Sequence, residues 1–140
     1  MYHKIILVGN LGRDPEMRFL PSGDPITNFS MATSEKWTGQ DGQKQERTIW
    51  WRVSVWGKQA ETVNQYLKKG SKVLVEGTMV ADPKTGNPRL WSGQDGQTRS
   101  SFEVRAQAVK FLSSRTESEG GGMGAGGMME PEPSEEDIPF

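Results

Sequence analysis

The sequence predicts an all-β domain: a five-stranded Greek-key barrel with one helix between its third and fourth strands, followed by a C-terminal tail outside the fold. Three observations predict it. Five stretches of strand length are apolar or alternate at period two. One stretch, 58–69, has helical spacing and falls between the third and fourth of them. Beyond residue 112 core-forming side chains almost vanish, so about 112 residues remain to build one small core.

Taken in order, residues 3–8 (His3-Lys4-Ile5-Ile6-Leu7-Val8) form a near-continuous run of β-formers ending at Gly9-Asn10. This reads as a first strand buried on both faces, or buried and paired with another subunit. Residues 11–15 read as a loop and 17–20 as a short extended piece, halted by Pro21-Ser22-Gly23-Asp24-Pro25. The second strand is 26–37, with Phe29 and Met31 on one face and Ser30 and Ala32 on the other. A turn built on Asp41-Gly42, a favoured hairpin dipeptide, makes the third strand antiparallel to the second.

That third strand, residues 48–56, organises the chain. Ile49, Trp51, Val53 and Val55 share one apolar face. The other face carries Trp50, Arg52, Ser54 and Trp56. Two indoles flanking a guanidinium suit a negatively charged polymer of flat rings, since bases stack on indoles and phosphates pair with arginine. The strand alone leaves a second reading open, in which both faces are buried and Trp50 and Trp56 are core.

Gly57 ends the strand. In the helix, Ala60, Val63, Tyr66 and Leu67 fall on one side, with Glu61, Asn64 and Lys68 opposite. Lys68-Lys69 are expected at its negative end, and Gly70 at its stop. The fourth strand is 72–80 and a loop covers 82–88. The fifth strand is 100–112, with Phe102, Val104 and Ala106 inward. A parity change before Val109 and Phe111 predicts a bulge near Gln107-Ala108. Five strands with this helix placement is the order of an OB-fold, whose second and third strands and neighbouring loops bind oligonucleotides or oligosaccharides. The order favours the platform reading of the third strand.

One phrase occurs twice. Residues 37–43 (Trp37-Thr38-Gly39-Gln40-Asp41-Gly42-Gln43) return as 91–97 (Trp91-Ser92-Gly93-Gln94-Asp95-Gly96-Gln97) with a single difference. Each copy places an indole at the stem of an Asp-Gly turn with a basic residue soon after: Lys44 and Arg47 in one, Arg99 in the other. Two hairpin fingers are expected, and Trp37, Trp50, Trp56 and Trp91 are expected along one surface. Trp51 belongs to the core or to a subunit contact.

Charge is asymmetric. All 17 Lys and Arg lie in residues 1–115 against 11 Asp and Glu, a balance of +6; residues 116–140 hold seven acids and no cation. A basic body suggests an anionic partner. No cysteine is present, which removes disulfides and thiolate metal sites. No apolar run approaches membrane-spanning length and no targeting segment precedes the first strand, so a cytoplasmic location without membrane contact is expected.

The tail divides in two. Residues 113–134 are rich in Gly, Pro and Glu and suit a flexible linker, with a reach of roughly 25 Å as a coil. The last six are Glu135-Glu136-Asp137-Ile138-Pro139-Phe140. Three acids ahead of an apolar, aromatic terminus suit a hook for a partner with a basic-rimmed apolar pocket.

These segments together resemble the bacterial single-stranded DNA-binding protein family over nearly the whole chain. The resemblance rests on Asn10-Leu11-Gly12-Arg13-Asp14-Pro15, on 32–37, on Trp50-Trp51-Arg52-Val53 with Trp56-Gly57-Lys58, on 66–71 with Val75-Glu76-Gly77, and on Asp137-Ile138-Pro139-Phe140. It implies a homotetramer that binds single strands without sequence preference. It implies base stacking by Trp37, Trp50, Trp56 and Trp91, and phosphate contacts near Arg52, Lys58 and Lys69. It implies a tip, 135–140, that recruits replication, recombination and repair proteins, and it implies neither a cofactor nor a metal. Three departures stand out: Trp51 where many members have histidine near the tetramer contact, a long 81–90 segment, and a short tail.

Two other classes of function share part of this pattern. An oligosaccharide-binding module would also use tryptophan platforms, but the basic body and the acidic tip oppose it. A nuclease on the same barrel would need catalytic groups, yet His3 is the sole histidine and no carboxylate pair stands in a metal-binding motif.

Overall fold

The structure is a computed structural model, and it describes residues 1–113. The expected acidic tip, and all but Ser113 of the expected linker, lie outside the described residues. The strands are β1 (Ile5–Leu11), β2 (Glu16–Phe19), β3 (Pro25–Thr38), β4 (Lys44–Trp56), β5 (Lys72–Met79), β6 (Leu90–Ser92), β7 (Thr98–Ser100) and β8 (Phe102–Phe111), with α1 (Lys58–Tyr66) between β4 and β5.

Five of these close a barrel in the order β1-β5-β8-β4-β3, and β2 is added outside β3. Closure depends on β1 changing partners. It runs antiparallel to β5 from Ile5↔Gly77 to Asn10↔Lys72, then meets β3 at Asn10↔Ala32 and Leu11↔Met31. β8 lies parallel to β4 over Trp51↔Phe102 to Ser54↔Arg105 and antiparallel to β5. This is the OB-fold expected from element order.

The core is made by the strand faces that period two assigns. Phe29, Met31, Val53, Val55, Val73, Val75 and Val104 are buried together, with Trp51 at the margin. Trp51 packs against Phe102 with ring centroids 5.3 Å apart and planes tilted by 45°, and it donates its Nε1–H to Thr33 Oγ1 at 2.9 Å, so its one polar side-chain atom is satisfied. Gln107 is the extra residue on β8: Glu76 pairs with Ala108 and Gly77 with Ala106, which places the bulge where the parity change predicts it. α1 closes one end of the barrel through Ala60, Val63 and the following Leu67. Buried Thr27 donates its hydroxyl to Ala60 O at 2.7 Å and pins the helix to β3.

Several expectations change. β1 continues to Leu11, which is buried and donates its N–H to Ser71 O, so the loop begins later. Within the chain β1 is covered on one face only: Ile6 and Val8 are 60% and 48% exposed. The helix ends at Tyr66, not at 69, and Tyr66 is exposed against the ring of Phe111. Leu67 is already extended, and Lys68 and Lys69 lie beyond the last turn, their amides donating to Ser71 Oγ and Asp14 Oδ1. Phe102 is half-exposed, because β8 begins there at the open end of the barrel beside Trp51. Ser113, expected as linker, still holds Lys72 through its hydroxyl and its N–H.

Candidate nucleic-acid interface

β3 and β4 position the site. Their register runs unbroken from Ile26↔Trp56 to Thr38↔Lys44, so residues on one face stay on it. Trp50, Arg52 and Ser54 point away from the core beside Ala32, Ser30 and Asn28. Trp50 is 56% exposed and Trp56 half-buried, which removes the reading in which both are core. The Trp50 indole lies over Gly12, where a Cβ would fall 2.4 Å from the ring. Gly12 is fixed by its N–H bond to Ser30 O. Any side chain at 12 would displace the platform.

Two adjoining grooves cross this face. One, of about 600 Å³, has Arg13, Arg18, Arg52, Trp56 and Arg89 in its wall. The other, of about 790 Å³, is lined by Arg13, Arg47, Trp50, Arg52 and Trp91. Arg13, Ser30 and Arg52 line both and so mark where they meet. Each volume suits a ligand of nucleotide size. The walls are not uniformly basic: Asp14, Glu16 and Glu103 enter the first groove, and Arg89 approaches Glu103 at 3.8 Å.

The repeated phrase forms two fingers with the same turn. Gly39 donates to Gln43 O and Gly42 to Gly39 O; Gly93 donates to Gln97 O and Gly96 to Gly93 O. In each, the aspartate accepts the N–H two residues on at 3.1 Å. β6 and β7 make the second finger as a separate sheet, with Trp91 opposite Arg99. Asp82 closes the long loop before it, accepting the Lys84 and Thr85 amides on its carboxylate. In each finger an arginine covers the indole, Arg47 on Trp37 at 5.4 Å and Arg99 on Trp91 at 5.8 Å, and Arg105 lies 4.6 Å from Trp56. The Gln97 amide and then the Arg99 guanidinium hold the Asp95 carboxyl below its ordinary pKa.

The sequence-predicted site residues separate into three groups. Trp50, Arg52, Trp56 and Trp91 are brought together along the grooves. Trp37 is not with them. It pairs with Gln45, on the strand face of Arg47, Ile49 and Trp51, and lines neither groove, although Arg47, which lies over its ring, lines the second. A two-residue Asp41-Gly42 turn would pair Trp37 with Glu46; the longer turn, closed by Gly39 N–H to Gln43 O, shifts the register by one and puts Trp37 opposite Gln45. Lys58 and Lys69 are exposed but line neither groove. Sequence reasoning missed Arg13, Arg18, Arg89 and Arg105. They reach this face from separate elements: Arg18 on β2 beside β3, Arg105 on β8 beside β4, and Arg13 and Arg89 from loops.

Among the described residues, no helix is long and apolar enough to cross a membrane, and no group of three or more His, Asp or Glu is placed to hold a metal ion.

Comparison with known proteins agrees with this geometry. The single-strand binding protein family matches residues 2–112. A single-stranded DNA-binding protein of Neisseria meningitidis is 43% identical over 119 residues, 85% of this chain and 64% of the relative. One from Wolinella succinogenes is 43% identical over 121 residues, 86% of this chain and 70% of the relative. The chain thus spans just under two thirds of the Neisseria protein's length. A Plasmodium falciparum SSB solved in complex with ssDNA superposes with TM-score 0.67 at 27% identity, covering 81% of this chain and 97% of that one. The Thermus aquaticus single-stranded DNA-binding protein, solved as a deletion mutant, gives TM-score 0.63 at 32% identity over 81% of this chain and 51% of that one. With barrel, indoles and sequence match in agreement over residues 2–112, the chain belongs to the single-strand binding protein family.

Proposed function

We propose that the chain binds single-stranded DNA without sequence preference. Bases stack on Trp50, Trp56, Trp91 and Trp37, and phosphates pair with Arg52, with Lys58 and Lys69 as outlying contacts. The observation that carries this is the exposed Trp50 platform beside Arg52, on grooves that Trp56 and Trp91 also line. Such surfaces hold strands through the π-face every base has, so they carry no sequence code. Titrating intrinsic tryptophan fluorescence with poly-dT tests it. The expected result is strong quenching, with affinity falling at a log–log salt slope of about −0.7 per neutralised phosphate. Unquenched emission at saturation would overturn the reading.

Two finer features belong to the same proposal. Self-association as a homotetramer is supported by Ile6 and Val8, exposed on the outer face of β1; mass measurement with and without dT oligomers tests it. Recruitment of replication, recombination and repair proteins by 135–140 is supported by three acids ahead of Ile138-Pro139-Phe140. The protein acts by coverage and not as an enzyme; intact labelled strands after incubation with magnesium are the expected result.

A further inference from the structure

Both fingers carry a three-part stack that the repeated phrase alone does not complete. In the first, Glu35 Oε2 holds Arg47 Nη2 at 2.6 Å, and that guanidinium lies over Trp37. In the second, Asp95 Oδ2 holds Arg99 Nη2 at 2.7 Å, and that guanidinium lies over Trp91. The parts come from different places. Glu35 is on a strand, two residues before its indole, whereas Asp95 belongs to the turn itself. Arg47 sits diagonally from Trp37, whereas Arg99 is directly opposite Trp91. Position 89, which corresponds to Glu35, is an arginine and bridges to Glu103 instead. Two sequences therefore reach one arrangement by separate routes, and they leave the two indoles almost equally exposed, 45% and 43%.

A carboxylate that fixes a guanidinium over an indole does two things. It occupies one face of the ring, and it holds the ring against rotation before any ligand arrives. The planar fork of arginine suits both contacts at once, and a lysine ammonium would keep the charge without the plate. Long exposed side chains ordinarily lose freedom on binding, so a ring fixed in advance binds with a smaller ordering cost.

We propose that Glu35 and Asp95 are positioning residues for DNA: each clamps an arginine onto one face of its finger's indole, so that each finger offers a single fixed ring face to a single base. This rests on the DNA-binding reading above. The depressed Asp95 carboxyl agrees with it, since that group stays ionised and available to Arg99.

The test uses the full chain as wild type and as two double variants, Arg47→Lys/Arg99→Lys and Glu35→Gln/Asp95→Asn. Asn at 95 keeps an oxygen for the Gln97 amide, and all four side chains are solvent-exposed, so the barrel is expected to melt as in wild type. Acrylamide is neutral and reports access to the indoles irrespective of charge. Both variants are expected to raise acrylamide quenching of the free protein. The lysine variant is expected to bind poly-dT about threefold or more weakly, with an unchanged salt slope because its charge is unchanged. Wild-type acrylamide quenching in the carboxamide variant would remove the clamp. Wild-type affinity in the lysine variant would reduce both arginines to simple phosphate contacts. Absence of poly-dT quenching in the wild type itself would instead strike the DNA reading, a separate failure.

Discussion

The two fingers have almost the same seven-residue phrase and the same turn, yet they are attached differently. The first is the outer end of a ribbon whose strands, 14 and 13 residues long, continue into the barrel wall. The second is a pair of three-residue strands in a sheet of its own, exposed throughout. The shared phrase fixes what is local: the Asp-Gly turn, its hydrogen bonds and an indole at the stem. It does not fix where the indole ends up. The long ribbon's register puts Trp37 on the strand face of Ile49 and Trp51 and outside both grooves, whereas the detached finger lays Trp91 into the groove that Trp50 lines.

The largest test of that difference is in binding. Each stacking indole contributes about 1–3 kcal/mol. Trp91→Ala is expected near the top of that range and Trp37→Ala near the bottom, so that affinity for oligo-dT falls about 100-fold in one and about fivefold in the other. Anisotropy titration of a labelled oligomer measures both. Equal losses would mean that the strand wraps both sides of the first finger, and the contrast drawn here would disappear.

A smaller effect is in local stability. Gly42 and Gly96 hold φ of +78° and +75°, where an alanine costs roughly 1–2 kcal/mol. Hydrogen exchange should show Gly96→Ala erasing protection across the whole of β6 and β7, because no buried side chain holds them shut. Gly42→Ala should remove protection from the outer ribbon alone and spare the stretch from Phe29↔Val53 to Met31↔Trp51, which is anchored in the core. Protection surviving in β6 and β7 would show that the second finger is tied to the barrel more firmly than its exposed strands indicate.

The smallest effect is in acid. Asp95 is held below its ordinary pKa by the Gln97 amide and Arg99, so its contribution to the second finger is complete above the unfolded value and is lost as pH falls through the lower, folded one. Acidification through that window should increase acrylamide access to Trp91, read in a Trp37→Phe background. Access that stays constant through the window would detach the carboxylate from the finger's order.

Much of the fold is legible in the sequence. Strand faces, the Gln107 bulge and both turns follow from period two and from turn chemistry, whereas the outward Trp50 needs the element order as well. These are short-range preferences set by backbone geometry and by which side chains leave water. The helix ends three residues before its spacing predicts, because the Lys68 and Lys69 amides are taken by Ser71 and Asp14, and Asp14 is far away along the chain.

The sequence by itself determined the barrel's class, its core and the chemistry of its platforms, since each depends on residues within a few positions of one another. Only the tertiary structure decided which indoles share a groove, that the Trp50 ring rests on Gly12, and which arginines join them. Those relations arise where β1 crosses from β5 to β3 and where β8 returns beside β4. Chain closure over many residues sets such meetings, and no local pattern records them.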